Sequence, residues 1–124
     1  MESFTIPLTA SIETPRTARS AVAERLGPHP RCEELLLCVS ELVTNAVLHA
    51  RSPRHMKVTA HGDQLTVEVA DGDPTVPVRR EHDPTAPTGR GLRILDQLTR
   101  RWGTRANGDG KTVWFEFDLG EGAA

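Results

Sequence analysis

The sequence predicts an α+β fold, with antiparallel strands in one layer and three helices in the other. Three stretches carry that expectation. Residues 33–50, EELLLCVSELVTNAVLHA, repeat Leu35, Val39, Leu42, Ala46 and Val47 at three- and four-residue steps, the stripe of one long helix facing a core. MKVTA at 56–60 and LTVEV at 65–69 alternate apolar with polar residues and flank Gly62-Asp63, which reads as a β-hairpin. Residues 112–119 alternate again and supply a last strand.

In chain order, Phe4, Ile6 and Leu8 alternate with polar neighbours and mark a first strand. Thr14-Pro15 reads as a helix cap followed by proline at the first helical position. The helix over 16–26 buries Ala18, Val22 and Leu26, and Gly27-Pro28 stops it. Pro30 stands ahead of the long helix, and Arg51-Ser52-Pro53 ends it. Asp71 closes the second hairpin strand. Between 72 and 88, Pro74, Pro77, Pro84 and Pro87 exclude either regular element, and a loop of that length in a small domain is usually functional or mobile, often a lid. Gly89-Arg90-Gly91 then opens a third helix with Leu92, Leu95 and Leu98 as its stripe. Trp102 begins another strand, and Asn107-Gly108-Asp109-Gly110 turns it back. With 124 residues, no repeat and no low-complexity linker, the expectation is a single domain over 1–124 with its ordered core from 3 to 119.

A formal charge of −2 gives no reason to expect nucleic acid or an anionic membrane as the main partner. The arginines of the C-terminal half are interleaved with acidic residues and accompanied by few aromatics, which also argues against nucleic acid. No apolar run approaches the roughly 20 residues of a membrane span. MESFTIPLTA has neither a basic start nor a long apolar stretch, so it does not read as a secretory signal, and a cytoplasmic location is expected. Cys32 and Cys38 fall on different helix faces about 9 Å apart along the axis, too far for a disulfide, and read as reduced thiols. The histidines form no cluster with cysteine at zinc spacing. Neither a P-loop nor the H-R-D and D-F-G signatures of ordinary protein kinases is present.

The chemistry lies in four features in a fixed order. On the long helix, spacing puts Glu41 and Asn45 about 40° apart, one turn above each other. Alone, this pair would read as a solvated polar face. A carboxamide oxygen is, however, a hard ligand suited to Mg²⁺ held jointly with phosphates, and a glutamate one turn away could take a proton from an attacking hydroxyl. Asp71 at a strand end could accept a hydrogen bond from an exocyclic amine, which is how a pocket would prefer adenine. Gly89-Arg90-Gly91 at a helix start offers backbone N–H groups and a positive dipole end to phosphate.

SELVTNAVLHA, VADGDP, PTGRGLRILDQL and GKTVWFEF, in that order, resemble the N, G1, G2 and G3 boxes of the GHKL (Bergerat-fold) ATPases. Within that family the chain is most similar to the anti-sigma-factor serine/threonine kinases and related stand-alone bacterial regulators. The resemblance implies a two-layer α/β sandwich with a mixed, mostly antiparallel sheet and three main helices on one face. It implies ATP and Mg²⁺ as cofactors, with Glu41 as general base, Asn45 as Mg²⁺ ligand, Asp71 as the adenine-reading carboxylate, and Gly89, Arg90, Gly91 and Leu92 as the phosphate-side turn. Thr112 enters as a further nucleotide contact, although Lys111 precedes it and which of the two meets the nucleotide stays open. The implied partners are an anti-sigma-factor antagonist of the STAS type, a sigma factor and, by the family's habit, a second copy of the chain. His49 reads as a helix-end or pocket-wall residue rather than a phospho-acceptor. The G1 box departs from the family's D-x-G-x-G, being Asp71-Gly72-Asp73-Pro74. That departure favours the alternative, a non-catalytic binding module of the same fold in which ATP gates partner docking or is lost.

Overall fold

The computed structural model describes residues 2–74 and 87–120, with His49 and residues 87–92 described through their backbone alone. The chain runs β1 (Glu2–Pro7), α1 (Thr14–Leu26), α2 (Cys32–Thr44), a π-helical turn (Asn45–His49), β2 (Pro53–His61), β3 (Gln64–Asp71), α3 (Pro87–Leu98), β4 (Arg101–Asn107) and β5 (Gly110–Asp118). The five strands form one sheet in the order β1-β2-β3-β5-β4. Each of the four pairings is antiparallel, so the sheet is purely antiparallel rather than mixed. Two tight hairpins set its register. Gly62 and Gly108 each take the positive φ required at the first central position of a two-residue turn, followed in both cases by aspartate.

Strand alternation divides the sheet into two faces. Met56 and Val58 of β2, Leu65, Val67 and Val69 of β3, and Val113, Phe115 and Phe117 of β5 point into the core. There they meet Ala18 and Val22 of α1, Leu35, Cys38, Val39, Leu42 and Val43 of α2, and Leu95 of α3. All five residues of the stripe read along 33–50 are buried. The opposite face is polar and laced with ion pairs, Arg101 with Glu116 and Arg105 with Glu68. Such pairs on a solvated face are worth about 0–1 kcal/mol each, so it is the helix-covered face that holds the fold together.

α2 lies between its two helical neighbours and packs on the central strands β3 and β5. Arg31, just ahead of it, fastens three elements at one corner. Its guanidinium donates to the Asp118 carbonyl at 2.6 Å and the Leu98 carbonyl at 3.3 Å, and lies 4.3 Å from the centre of the Phe117 ring. The Leu98 contact satisfies one of the carbonyls left open at the end of α3. Cys38 is fully buried, and burial, reinforced by Glu34, pushes its thiol up to about 12. Both cysteines are free thiols.

Three local readings of the sequence need correction. Thr14 does not cap α1 but is its first residue, with Glu13 at the cap position. Its buried hydroxyl instead donates to the Thr9 carbonyl at 2.7 Å, tying the helix start to the end of β1. α3 already begins at Pro87, because proline is well accommodated in a first helical turn. The segment 33–50 is not one uniform α-helix, since its last turn widens to π.

Candidate functional site

The widened turn begins at Asn45. Its N–H is shared between the carbonyls of Glu41 and Leu42, and its own carbonyl accepts from Ala50 five residues on, at 2.9 Å. Ala46 and Val47 still reach the core while Leu48 is turned outward, so the insertion changes the outer side of the turn and leaves its apolar contacts in place. Single π-turns inside α-helices occur frequently at functional sites, and this one starts on the carboxamide singled out in the sequence. Glu41, one turn earlier in regular α-helix, is half-buried like Asn45. Arg51 then leaves the helix with φ 57°, a left-handed conformation that costs a non-glycine residue about 1 kcal/mol or more.

Ser52 fastens this helix end to the end of β3. The Gly72 N–H donates to the Ser52 carbonyl at 2.9 Å and lies 3.1 Å from its Oγ, while that hydroxyl donates to the Ala50 carbonyl at 3.1 Å. The π-turn also packs against β3 directly. Asp71, the last residue of β3, is thereby held beside the helix that carries Glu41 and Asn45.

Asp71 is only 1% exposed and lies in phase with Val67 and Val69, on the core face of the sheet. Opposite it in the register stands Lys111, itself 4% exposed and in phase with Val113, Phe115 and Phe117. The Lys111 ammonium lies 3.2 Å from Asp71 Oδ1 and 3.1 Å from Oδ2, and donates to the Asp73 carbonyl at 3.1 Å. The Asp73 N–H adds a fourth interaction, donating to Asp71 Oδ1 at 2.8 Å. Gly110 permits this approach: a Cβ there would collide with the Asp71 carbonyl and sit 2.9 Å from the Gly72 Cα. A buried carboxylate and ammonium thus satisfy each other at the mouth of the core, and no buried side-chain polar atom among the described residues lacks a partner.

Thr112 does not join this group. Strand alternation sends it to the other face of the sheet, where Asn107 Nδ2 donates to its hydroxyl at 3.2 Å in a shallow polar cleft with His55, Lys57 and Arg105. Between the two positions left open along the sequence, it is Lys111 that stands beside Asp71. Gly89, Arg90, Gly91 and Leu92 lie in the first two turns of α3, which packs against α2, and their side chains fall outside the described residues. So does the side chain of His49, and so does most of the expected lid, residues 75–86. The roles of Ser52 and Lys111 were not anticipated. Lys111 had a signal, since it shares strand parity with Val113, Phe115 and Phe117, whereas Ser52 had none.

No group of three or more His, Cys, Asp or Glu among the described residues could hold a metal ion. A Mg²⁺ ion bound jointly with phosphates needs no such cage, because one or two protein oxygens suffice, and the Asn45 carboxamide fits that demand. The fit to a purine base is narrower, since Asp71 already has a partner at each oxygen.

The profile of the histidine kinase-like ATPase domain matches residues 8–117. The chain belongs to that family. Its fold is shared with the RsbU and RsbW domains of Rv1364c from Mycobacterium tuberculosis, at TM-score 0.71 and 20% identity over 96% of this chain and 32% of that one. It is also shared with the blue-light activated histidine kinase of Erythrobacter litoralis EL346, at TM-score 0.57 and 18% identity over 94% of this chain and 43% of that one. The nucleotide-free catalytic domain of histidine kinase ThkA aligns at TM-score 0.54 and 15% identity, over 96% of this chain and 98% of that one. The chain therefore spans about a third of the first and less than half of the second. No curated protein matches it in sequence. The GHKL fold expected from the four boxes is thus the fold found, with the three α-helices of the described residues on one face of a five-stranded sheet.

Proposed function

We propose that this chain, as one domain over residues 3–119, binds Mg-ATP and transfers the γ-phosphoryl group to a serine of a STAS-type anti-sigma-factor antagonist, so controlling a sigma factor in the cytoplasm. A homodimer is carried over from the resemblance to the anti-sigma-factor kinases. The observation that carries the reading is the Ala50–Ser52–Gly72 hydrogen-bond chain, which fastens the helix bearing Glu41 and Asn45 to the strand end bearing Asp71. Similarity to a chain containing an RsbW domain supports the choice of branch.

Bound Mg-ATP would supply the phosphoryl group and the counter-charge for its oxygens. Asn45 would hold Mg²⁺ through its carboxamide oxygen, and the open N–H groups at the start of α3, whose first two turns hold Gly89, Arg90, Gly91 and Leu92, would face phosphate. Asp71 would accept from the base amine. Glu41 would take the proton of the incoming serine hydroxyl as its oxygen bonds to phosphorus and the bond to the departing ADP oxygen breaks. Glu41→Gln should lower transfer of labelled phosphate by about 10²–10⁴-fold while leaving ATP binding intact. Transfer at the wild-type rate would remove Glu41 from this role.

One observation favours the second reading, a nucleotide-gated or nucleotide-free binding module. The carboxylate meant for the base is already ion-paired inside the protein. Calorimetric titration of Mg-ATP into the wild type and Asn45→Ala separates the two. Binding lost in the variant supports the Mg-ATP site, and binding without transfer to any antagonist supports the module.

A further inference from the structure

Lys111 has no part in the mechanism above, yet it is the most deeply buried ammonium among the described residues and points at the atom group assigned to the base. Its three donors are matched by three acceptors, the two Asp71 oxygens and the Asp73 carbonyl. Asp71, for its part, receives the ammonium on both oxygens and the Asp73 N–H on one. Lys111 and Asp71 balance each other's charge, and Gly110, where a Cβ would collide with the Asp71 carbonyl, lets β5 lie close against the end of β3.

We propose that Lys111 sets the nucleotide affinity and base preference of this site by competing, from within the protein, for the carboxylate that would read an adenine amine. The proposal rests on the reading of the site as a nucleotide site. An exocyclic amine arriving at Asp71 must share an acceptor with the ammonium or displace it. Displacement strands a charge that has 4% exposure and only the Asp73 carbonyl left to hold it. A base with a carbonyl in place of the amine offers an acceptor at the position where the carboxylate needs a donor, but that carbonyl can accept from the ammonium, so Lys111 lowers the advantage of adenine over hypoxanthine twice over. The triphosphate and ribose are the same in both nucleotides and are unaffected by this contest.

The test is calorimetric titration of Mg-ATP and Mg-ITP into the wild type, Lys111→Met and Lys111→Gln. Methionine keeps the length of the stem and removes the ammonium, while glutamine keeps a neutral donor for Asp71 and guards against a variant that does not fold. Lys111→Met should bind ATP at least about tenfold more tightly than the wild type, with ITP unchanged or weaker, and Lys111→Gln should fall between. An ATP-to-ITP preference that is the same in all three proteins overturns the proposal while leaving the nucleotide site standing. An equal change for both nucleotides, in either direction, also overturns it, because the effect would then act through the triphosphate and ribose that the two share. If none of the three proteins binds either nucleotide, the nucleotide reading falls and the proposal falls with it.

Discussion

The two ends of the β3–β5 pairing are built from opposite materials. At one end Leu65 faces Phe117 and Val67 faces Phe115, with the two phenyl rings edge to face at 6.5 Å. At the other end the same two strands, in the same register and equally shielded from water, pair Asp71 with Lys111. The apolar end stabilises the fold by burial, at about 1.5–3 kcal/mol per large side chain. The ionic end does not have that effect, because desolvating two charges consumes most of what their attraction returns, and an apolar pair of similar volume is commonly as stable or more so. A charged pair stands where a leucine and a methionine would serve the fold, and this is the end of the sheet at which we place the proposed site. It is also the end to which Ser52 ties the helix with Glu41 and Asn45.

That contrast can be broken at either end. Phe117→Ala should lower the unfolding free energy by about 3–5 kcal/mol in urea titrations, with the ATP-to-ITP preference unchanged. Lys111→Ala should lower it by a comparable 3–5 kcal/mol, because it strands the buried carboxylate, but here the preference should shift. Equal stability of Lys111→Ala and the wild type would mean that the pair is not closed in solution.

The double variant Asp71→Leu/Lys111→Met sharpens the comparison. It should recover wild-type stability or exceed it by about 1–4 kcal/mol, while losing any preference between ATP and ITP. A double variant less stable than Lys111→Ala would show that the ionic end is structural after all.

A smaller effect separates the core from both ends. The Cys38 thiol is raised from 9.0 to about 12 in the folded protein, so the unfolded chain loses this proton first. Its contribution is fully present below pH 9 and is lost as the pH rises towards 12. Stability measured across that window should fall in the wild type and fall less in Cys38→Ala. Smallest of all is the solvated face. Arg101 beside Glu116 holds that carboxyl below its ordinary range, so its contribution is present above the ordinary range and disappears as the pH falls through the lowered one. Arg101→Gln should cost no more than about 1 kcal/mol at neutral pH and nothing measurable in strong acid.

Much of this was legible in the residues because it depends on local periodicity. The stripe from Leu35 to Val47, the hairpin at Gly62-Asp63 and the inward residues of β5 follow from 3.6- and 2-residue repeats, and the structure keeps each of them. Glu41 and Asn45 share a helix face for the same reason, and Asp71 closes its strand as its neighbours predict. The ordered boxes were enough to reach the family, because their order reflects one chain path around one site.

Other features depend on partners distant in sequence. Whether Lys111 or Thr112 meets Asp71 is a matter of strand register, which depends on a turn at Gly108 and a collision avoided at Gly110. The π-turn at Asn45 has no periodic signature, because one inserted residue leaves the apolar stripe intact while changing which carbonyl each N–H meets. Thr14 looked like a cap because a threonine before a proline usually is one, but Thr9 lay close enough to claim its hydroxyl. The sequence by itself determined which segments are helix and strand, which faces are apolar and which family the chain resembles. The tertiary structure alone decided which polar side chains face one another across the sheet, because that depends on register and close approach rather than on any local pattern.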